Sequence, residues 1–236
     1  MAPLVVLREG GAKLVGACVL VTSGAHTVAL ASAEVLRKAG QPLAIATRLD
    51  GSSTLPVAAW HLGRHPALGV IDLGDSSQFT PEVQPLELGS LSASIDTRGA
   101  PAALIGVRVE AGVFARIAVG IQLVLDDGGG MSDDVIRLAV PQERVPDGAL
   151  LDGAPLFAWM PADPVLGRGS EVVAVALGIA PRTQTFGSYA PIAELVGLED
   201  AAIALPWLEQ PPVQPEGPVQ VAGEIGRFTG PIPKPE

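Results

Sequence analysis

The chain is poor in the residues that would make its chemistry obvious. It has 236 residues with 1 Cys, 1 Tyr, 3 His and only 17 % charged side chains. A single thiol, Cys18, excludes an internal disulfide framework and a cysteine-built metal site. Cys18 lies inside an apolar strand pattern and is expected to act as a small buried hydrophobe. Lysine and arginine never cluster, so there is no phosphate-tracking surface and nucleic acid is excluded as a partner. Long hydrophobic runs are missing as well. The longest, Leu14–Thr22, is about half of the ~20 residues that a membrane-spanning helix needs, so no membrane association is expected. The opening Met1-Ala2-Pro3-Leu4 lacks the basic and apolar regions of a secretory signal. With the lone thiol, this gives a cytoplasmic expectation.

What is present is apolar and polarised. Hydrophobic types make up 48 % of the chain, and with a mean hydropathy of +0.39 this excludes global disorder. The net charge of −10 is not spread evenly: residues 1–118 hold 9 basic and 9 acidic side chains, and residues 119–236 hold the remaining 6 basic and 16 acidic ones. An acidic half of this kind favours a partner with a basic surface.

Helical periodicity is scarce, and apolar β-branched runs closed by Gly, Pro, Asp or Ser recur instead. Strands are expected at Lys13–Thr22, Thr27–Ala31, Pro42–Thr47, Leu55–Leu62, Ala67–Leu73, Ala103–Val109, Val113–Leu125, Val135–Leu138, Pro155–Trp159 and Val172–Ile179. Several of these runs are apolar on both faces, as in strands that enclose a filled core. Two short helices are expected, at Ala31–Lys38 and at 191–205, with Pro191 at the first position of the second. Prolines crowd 206–236, so this tail is expected to be extended or disordered.

Three segments, in order, carry a resemblance. Gly16-Ala17-Cys18-Val19-Leu20-Val21 is followed by Val28-Ala29-Leu30-Ala31-Ser32-Ala33-Glu34-Val35. His65-Pro66-Ala67-Leu68-Gly69-Val70-Ile71 then leads to Val83-Gln84-Pro85-Leu86-Glu87-Leu88-Gly89. Last come Leu151-Asp152-Gly153-Ala154-Pro155-Leu156-Phe157 and Glu171-Val172-Val173-Ala174-Val175-Ala176. Together, over about residues 12–180, they resemble the chymotrypsin-like (trypsin-fold) serine proteases, above all the bacterial HtrA-type branch. They are similar to that family's strand ending in Thr-Ala-Ala-His-Val, its Asp-x-Ala-Leu-Leu strand and its Ser-Gly-Gly-Pro-Leu-Phe motif.

The resemblance implies an all-β fold of two six-stranded antiparallel barrels. The trypsin-like domain would span 1–205, with a first barrel at about 12–90, a second at about 103–180 and a short C-terminal helix at about 191–205. The Pro-rich tail, 206–236, would follow.

Carried over position by position, the family's histidine site holds Glu34, its aspartate site His65 and its nucleophile site Asp152. An aspartate is a poor acyl-transfer nucleophile, and a glutamate of nearly matched pKa cannot act as its base. The resemblance therefore implies a pseudoprotease that acts as a protein-binding, regulatory or substrate module. The alternative is an enzyme of altered hydrolytic or metal-assisted chemistry at the acidic Glu34, His65 and Asp152 site. These three residues are the candidate metal ligands, although a salt-bridged cluster without metal is the simpler reading and no cofactor is expected.

Other motifs are weaker. Gly153, Ala154, Trp159 and Met160 border the region where active relatives recognise substrate, and they are the candidate peptide-binding residues. His61 and His65 have a spacing that places both on one side of a strand. Asp126, Asp127, Asp133 and Asp134 flank a glycine run without the calcium-loop pattern. Gly74-Asp75-Ser76-Ser77 mimics a nucleophile string but lacks the apolar strand that should follow it.

Overall fold

A computed structural model describes residues 1–23, 26–39, 42–63, 67–75, 79–83, 85–87, 101–122, 136–140, 142–160, 171–180, 186–191 and 223–225. They form two antiparallel-dominated, curled sheets. The first contains β1 (Ala2–Arg8), β2 (Gly11–Ser23), β3 (His26–Ser32), β4 (Leu43–Ala46), β5 (Thr54–Pro56), β6 (His61–Leu62) and β7 (Leu68–Asp75) in the order β5-β4-β1-β2-β3-β7-β6. Two short strands, β8 (Leu86–Glu87) and β15 (Gly223–Ile225), also pair with β2, the former in parallel. The second sheet joins β9 (Pro101–Glu110), β10 (Val113–Gln122), β11 (Ile136–Ala139), β12 (Pro155–Met160), β13 (Glu171–Ala180) and β14 (Phe186–Pro191) in the order β10-β9-β12-β13-β14-β11.

The continuous apolar runs of β1, β2 and β4 follow from burial on both faces. Successive strand side chains point to opposite sides. Leu4, Val6, Cys18, Leu20, Leu43 and Ile45 enter one core, together with Trp60. Their alternates Val5, Leu7, Leu14, Ala17, Ala44 and Ala46 enter a second core, shared with Val107 and Phe114 of the other sheet. The second core is closed by main-chain bonds between the sheets: the Phe114 amide donates to the Leu49 carbonyl at 2.7 Å and the Ala17 amide to the Asp152 carbonyl at 3.1 Å. The first sheet is thus a layer between two apolar contacts rather than a sheet with one wet side.

All ten expected strand regions contain a strand, with corrections at several borders. Leu55–Leu62 is broken into β5 and β6, with the buried Trp60 in the connection. The first helix, α1 (Ala33–Lys38), starts two residues later than expected, because Ala31 and Ser32 complete the ladder of β3 on β7. Pro191 pairs with Ala176 as the last residue of β14 and does not open a helix; the rest of 191–205 lies outside the described residues. Of the tail, Gly223–Ile225 is described, and it is extended. No helix among the described residues is long and apolar enough to cross a membrane.

Candidate functional site

Three pieces of chain meet at Gly16 of β2. A side chain at that position would sit 3.0 Å from Val35 of α1 and 3.4 Å from the carbonyl of Asp152, so glycine there permits a close approach of helix, strand and turn. Gly69 of β7 has the same function for the other side of α1. A Cβ there would clash with Leu36 Cδ1 at 2.2 Å, and it would lie 3.2 Å from the Trp60 ring. Leu36 is buried in this gap and anchors a helix too short to be stable by itself. The Ala33 amide donates to the Ala67 carbonyl at 2.8 Å and fixes the first turn. Glu34, the next residue, is held at the rim with its side chain 59 % exposed and ion-paired to Lys38 one turn on.

Asp152 is positioned by the turn that leads into β12. The turn is clamped on one side by reciprocal bonds between Leu150 and Val107, at 2.8 and 3.2 Å. On the other side the Asp152 carbonyl accepts from Ala17, and the Ala154 amide closes back on the Leu151 carbonyl at 2.9 Å. Gly153 adopts φ +77°, with its would-be Cβ 2.0 Å from the Ala17 carbonyl oxygen, so only glycine fits.

The half-buried carboxyl of Asp152 is pushed above the ordinary aspartate range. Loss of water is the larger cause and the negative charge of Glu34 the second, while Lys38 acts in the opposite sense. Glu34, Lys38 and Asp152 therefore form one electrostatic unit at the seam of the two sheets. It contains two carboxyl groups and one ammonium, and neither carboxyl position offers a hydroxyl or thiol nucleophile.

The sequence-derived candidates are distributed unevenly around this unit. Glu34 and Asp152 are brought together. His65 lies outside the described residues, as do Asp126, Asp127, Asp133 and Asp134. Gly153 and Ala154 are buried in the turn itself. Trp159 and Met160 follow on β12, in register with Val172 and Glu171. His61 is half-buried on β6, opposite Val70. Among the described residues no group of three His, Cys, Asp or Glu side chains is arranged to hold a metal ion. Sequence reasoning missed Lys38, Gly69 and the amide of Ala17. The two strand glycines, 16 and 69, were the available signal, since glycine inside a strand marks a close approach.

The fold is similar to that of a trypsin-like serine protease. Twelve solved chains match this one. An HtrA-type protease, AlgW, solved with a tripeptide, superposes with a TM-score of 0.50 at 17 % sequence identity over 86 % of this chain. A kallikrein-related peptidase 10 complex with Zn²⁺ gives a TM-score of 0.48 at 13 % identity, covering 83 % of this chain and 92 % of that one. The chain spans 60 % of the length of the HtrA-type structure. No protein-family model matches the sequence, and no curated protein matches it either. At these identities the likeness defines the fold and leaves activity to the site.

Proposed function

We propose that the chain is a catalytically inactive trypsin-like protein that acts by binding another protein, as a regulatory or substrate module. The supporting observation is the pairing of Glu34 with Asp152 where the resembling motifs place a histidine base and a serine nucleophile. Burial and Glu34 favour the protonated form of Asp152, which weakens it further as a nucleophile. Attack by a carboxylate on an amide would give an anhydride, a poorer bargain than the ester that a hydroxyl makes. Glu34, already engaged by Lys38, puts a carboxylate where the resembling motifs place an imidazole base. Turn amides near Gly153 would face a resident carboxyl group in place of a transient oxyanion. The acidic second half directs the choice of partner toward a basic surface.

The test is treatment of the folded protein with a fluorophosphonate probe, alongside incubation with a broad peptide library. Neither labelling nor cleavage is expected. Turnover that disappears in Asp152→Ala would establish the altered enzyme instead. Affinity capture from the native cell with mass spectrometry should recover a defined protein partner, and recovery of chaperones alone would count against the binding role.

A further inference from the structure

We propose that one edge of β2 is a strand-docking site whose present occupant, the chain's own Gly223–Ile225, is exchangeable for an extended peptide carrying an acidic residue opposite Lys13. The site lies apart from Glu34 and Asp152, and the proposal stands whether or not those residues are inert.

The geometry follows from the pairings of β2. Cys18 is bridged to Ala2 of β1 and to Ala31 of β3, so these two strands lie on opposite edges. β3 covers its edge only from Cys18 to Ser23. Leu14 is bridged to Val5 of β1 and also to Gly223, which places β15 on the same edge as β3, beyond the point where β3 stops. Between the two, the Ala17 amide is taken by the Asp152 carbonyl. Without β15, the main-chain groups of Ala12–Leu14 on this edge would be open to any extended chain, the condition that strand addition exploits.

The occupant is a weak one. It forms three register pairs, Gly223–Leu14, Glu224–Lys13 and Ile225–Ala12, and arrives from the far end of the sequence. So few pairs contribute little against the entropy of closing a loop of that length. The register also sets specificity, because Glu224 stands directly opposite Lys13 and opposite charges favour such cross-strand positions. A competing strand should therefore carry an acidic residue at the central position, flanked by a small residue and an aliphatic one.

The experiment uses the full chain with Glu224→Pro and Ile225→Pro, which removes ladder donors in either hydrogen-bonding phase. The probe is a fluorescein-labelled peptide of residues 218–230. The proline variant should bind it at least about tenfold more tightly than the parent chain, in which the edge is already filled. Glu224→Lys in the peptide should weaken binding about two- to fivefold, and Lys13→Glu in the proline variant should restore it. In the unmodified chain, hydrogen exchange at Ala12 and Leu14, whose amides face the β15 edge, should be faster than at Ala29 and Leu30, and added peptide should slow it in the proline variant. A folded proline variant that ignores the peptide overturns the proposal. So does exchange at Ala12 and Leu14 as slow as at Ala29 and Leu30 in the unmodified chain, a result readable even if the proline variant fails to fold.

Discussion

The main-chain carbonyl of Asp152 accepts a hydrogen bond from the Ala17 amide at 3.1 Å, and this bond ties the turn before β12 to the centre of β2. It brings the acidic residue of one sheet beside the glutamate that follows β3 in the other. The next residue, Gly153, makes the contact possible with φ +77° and its missing side chain. Gly153→Ala should therefore cost at least about 2 kcal/mol, since it combines an unfavourable backbone region with a clash against main-chain atoms. Thermal or urea unfolding measures this directly, and an unchanged midpoint would show that the turn is not clamped as described.

The electrostatic coupling of Glu34 to Asp152 has a pH signature. A carboxyl group raised in the folded state binds protons more tightly there than in the unfolded chain. Stability is then lost as pH rises from below the ordinary aspartate value of about 3.9 through the raised folded value, and the loss persists at neutrality. Asp152→Asn should be more stable than the parent at pH 7, with the advantage gone near pH 3. Glu34→Gln should bring the Asp152 titration back toward the ordinary range, as followed by carboxyl-carbon NMR. If Asp152 titrates identically in both proteins, the two groups are not coupled.

Cys18 is fully buried, its Sγ 3.5 Å from the Ala2 carbonyl, and burial pushes its thiol up to about 12. Thiol reagents should leave the native protein untouched and modify Cys18 only on unfolding. The unfolded thiol loses its proton from about pH 8.5 while the folded one retains it, so stability should fall from that pH upward. Cys18→Ala should remove the component of alkaline destabilisation that this residue supplies, whatever its packing cost at pH 7. Comparing the pH slopes of the two proteins above pH 8 tests this.

Much of this fold was legible because its strands are strongly β-branched and bounded by turn formers. The resembling segments also located Glu34 and Asp152 before any geometry was known. What escaped has identifiable causes. β1 is a continuous apolar run without polar alternation, because its two faces enter different cores, and it offered only the absence of a signal peptide to notice. β14 contains Gly187 and Ser188 and ends in Pro191, all weak strand formers, so its ladder partners decide its state. Pro191 suits a helix start locally, but pairing with Ala176 overrides that preference. Lys38 entered the site through a helical spacing from Glu34 that is common on any exposed helix and carries no functional mark.

The β9–β10 hairpin contains a local rule violation that can be corrected. Its two-residue loop, Ala111-Gly112, has φ of 49° and 81°, the mirror-image turn that matches strand twist. Alanine tolerates that region poorly, whereas asparagine and glycine are its usual occupants. Ala111→Asn should raise stability by about 0.5–1 kcal/mol, measured as a higher urea midpoint with an unchanged slope. A lower midpoint would show that the alanine conformation is supported by contacts elsewhere.

The two-sided burial of β1, β2 and β4 also bears on how the chain is made. As it leaves the ribosome, the first sheet is complete through β7 before Val107 and Phe114 exist to cover its second face. During that interval Val5, Leu7, Leu14 and Ala17 lack the cover that Val107 and Phe114 later supply, a state prone to sticking and to chaperone capture. A fragment ending near residue 90 should be insoluble, while the same strands inside the full chain are shielded. The link between the halves is therefore a condition of solubility during synthesis, and substitutions at Phe114 should reduce yield before they alter any binding behaviour.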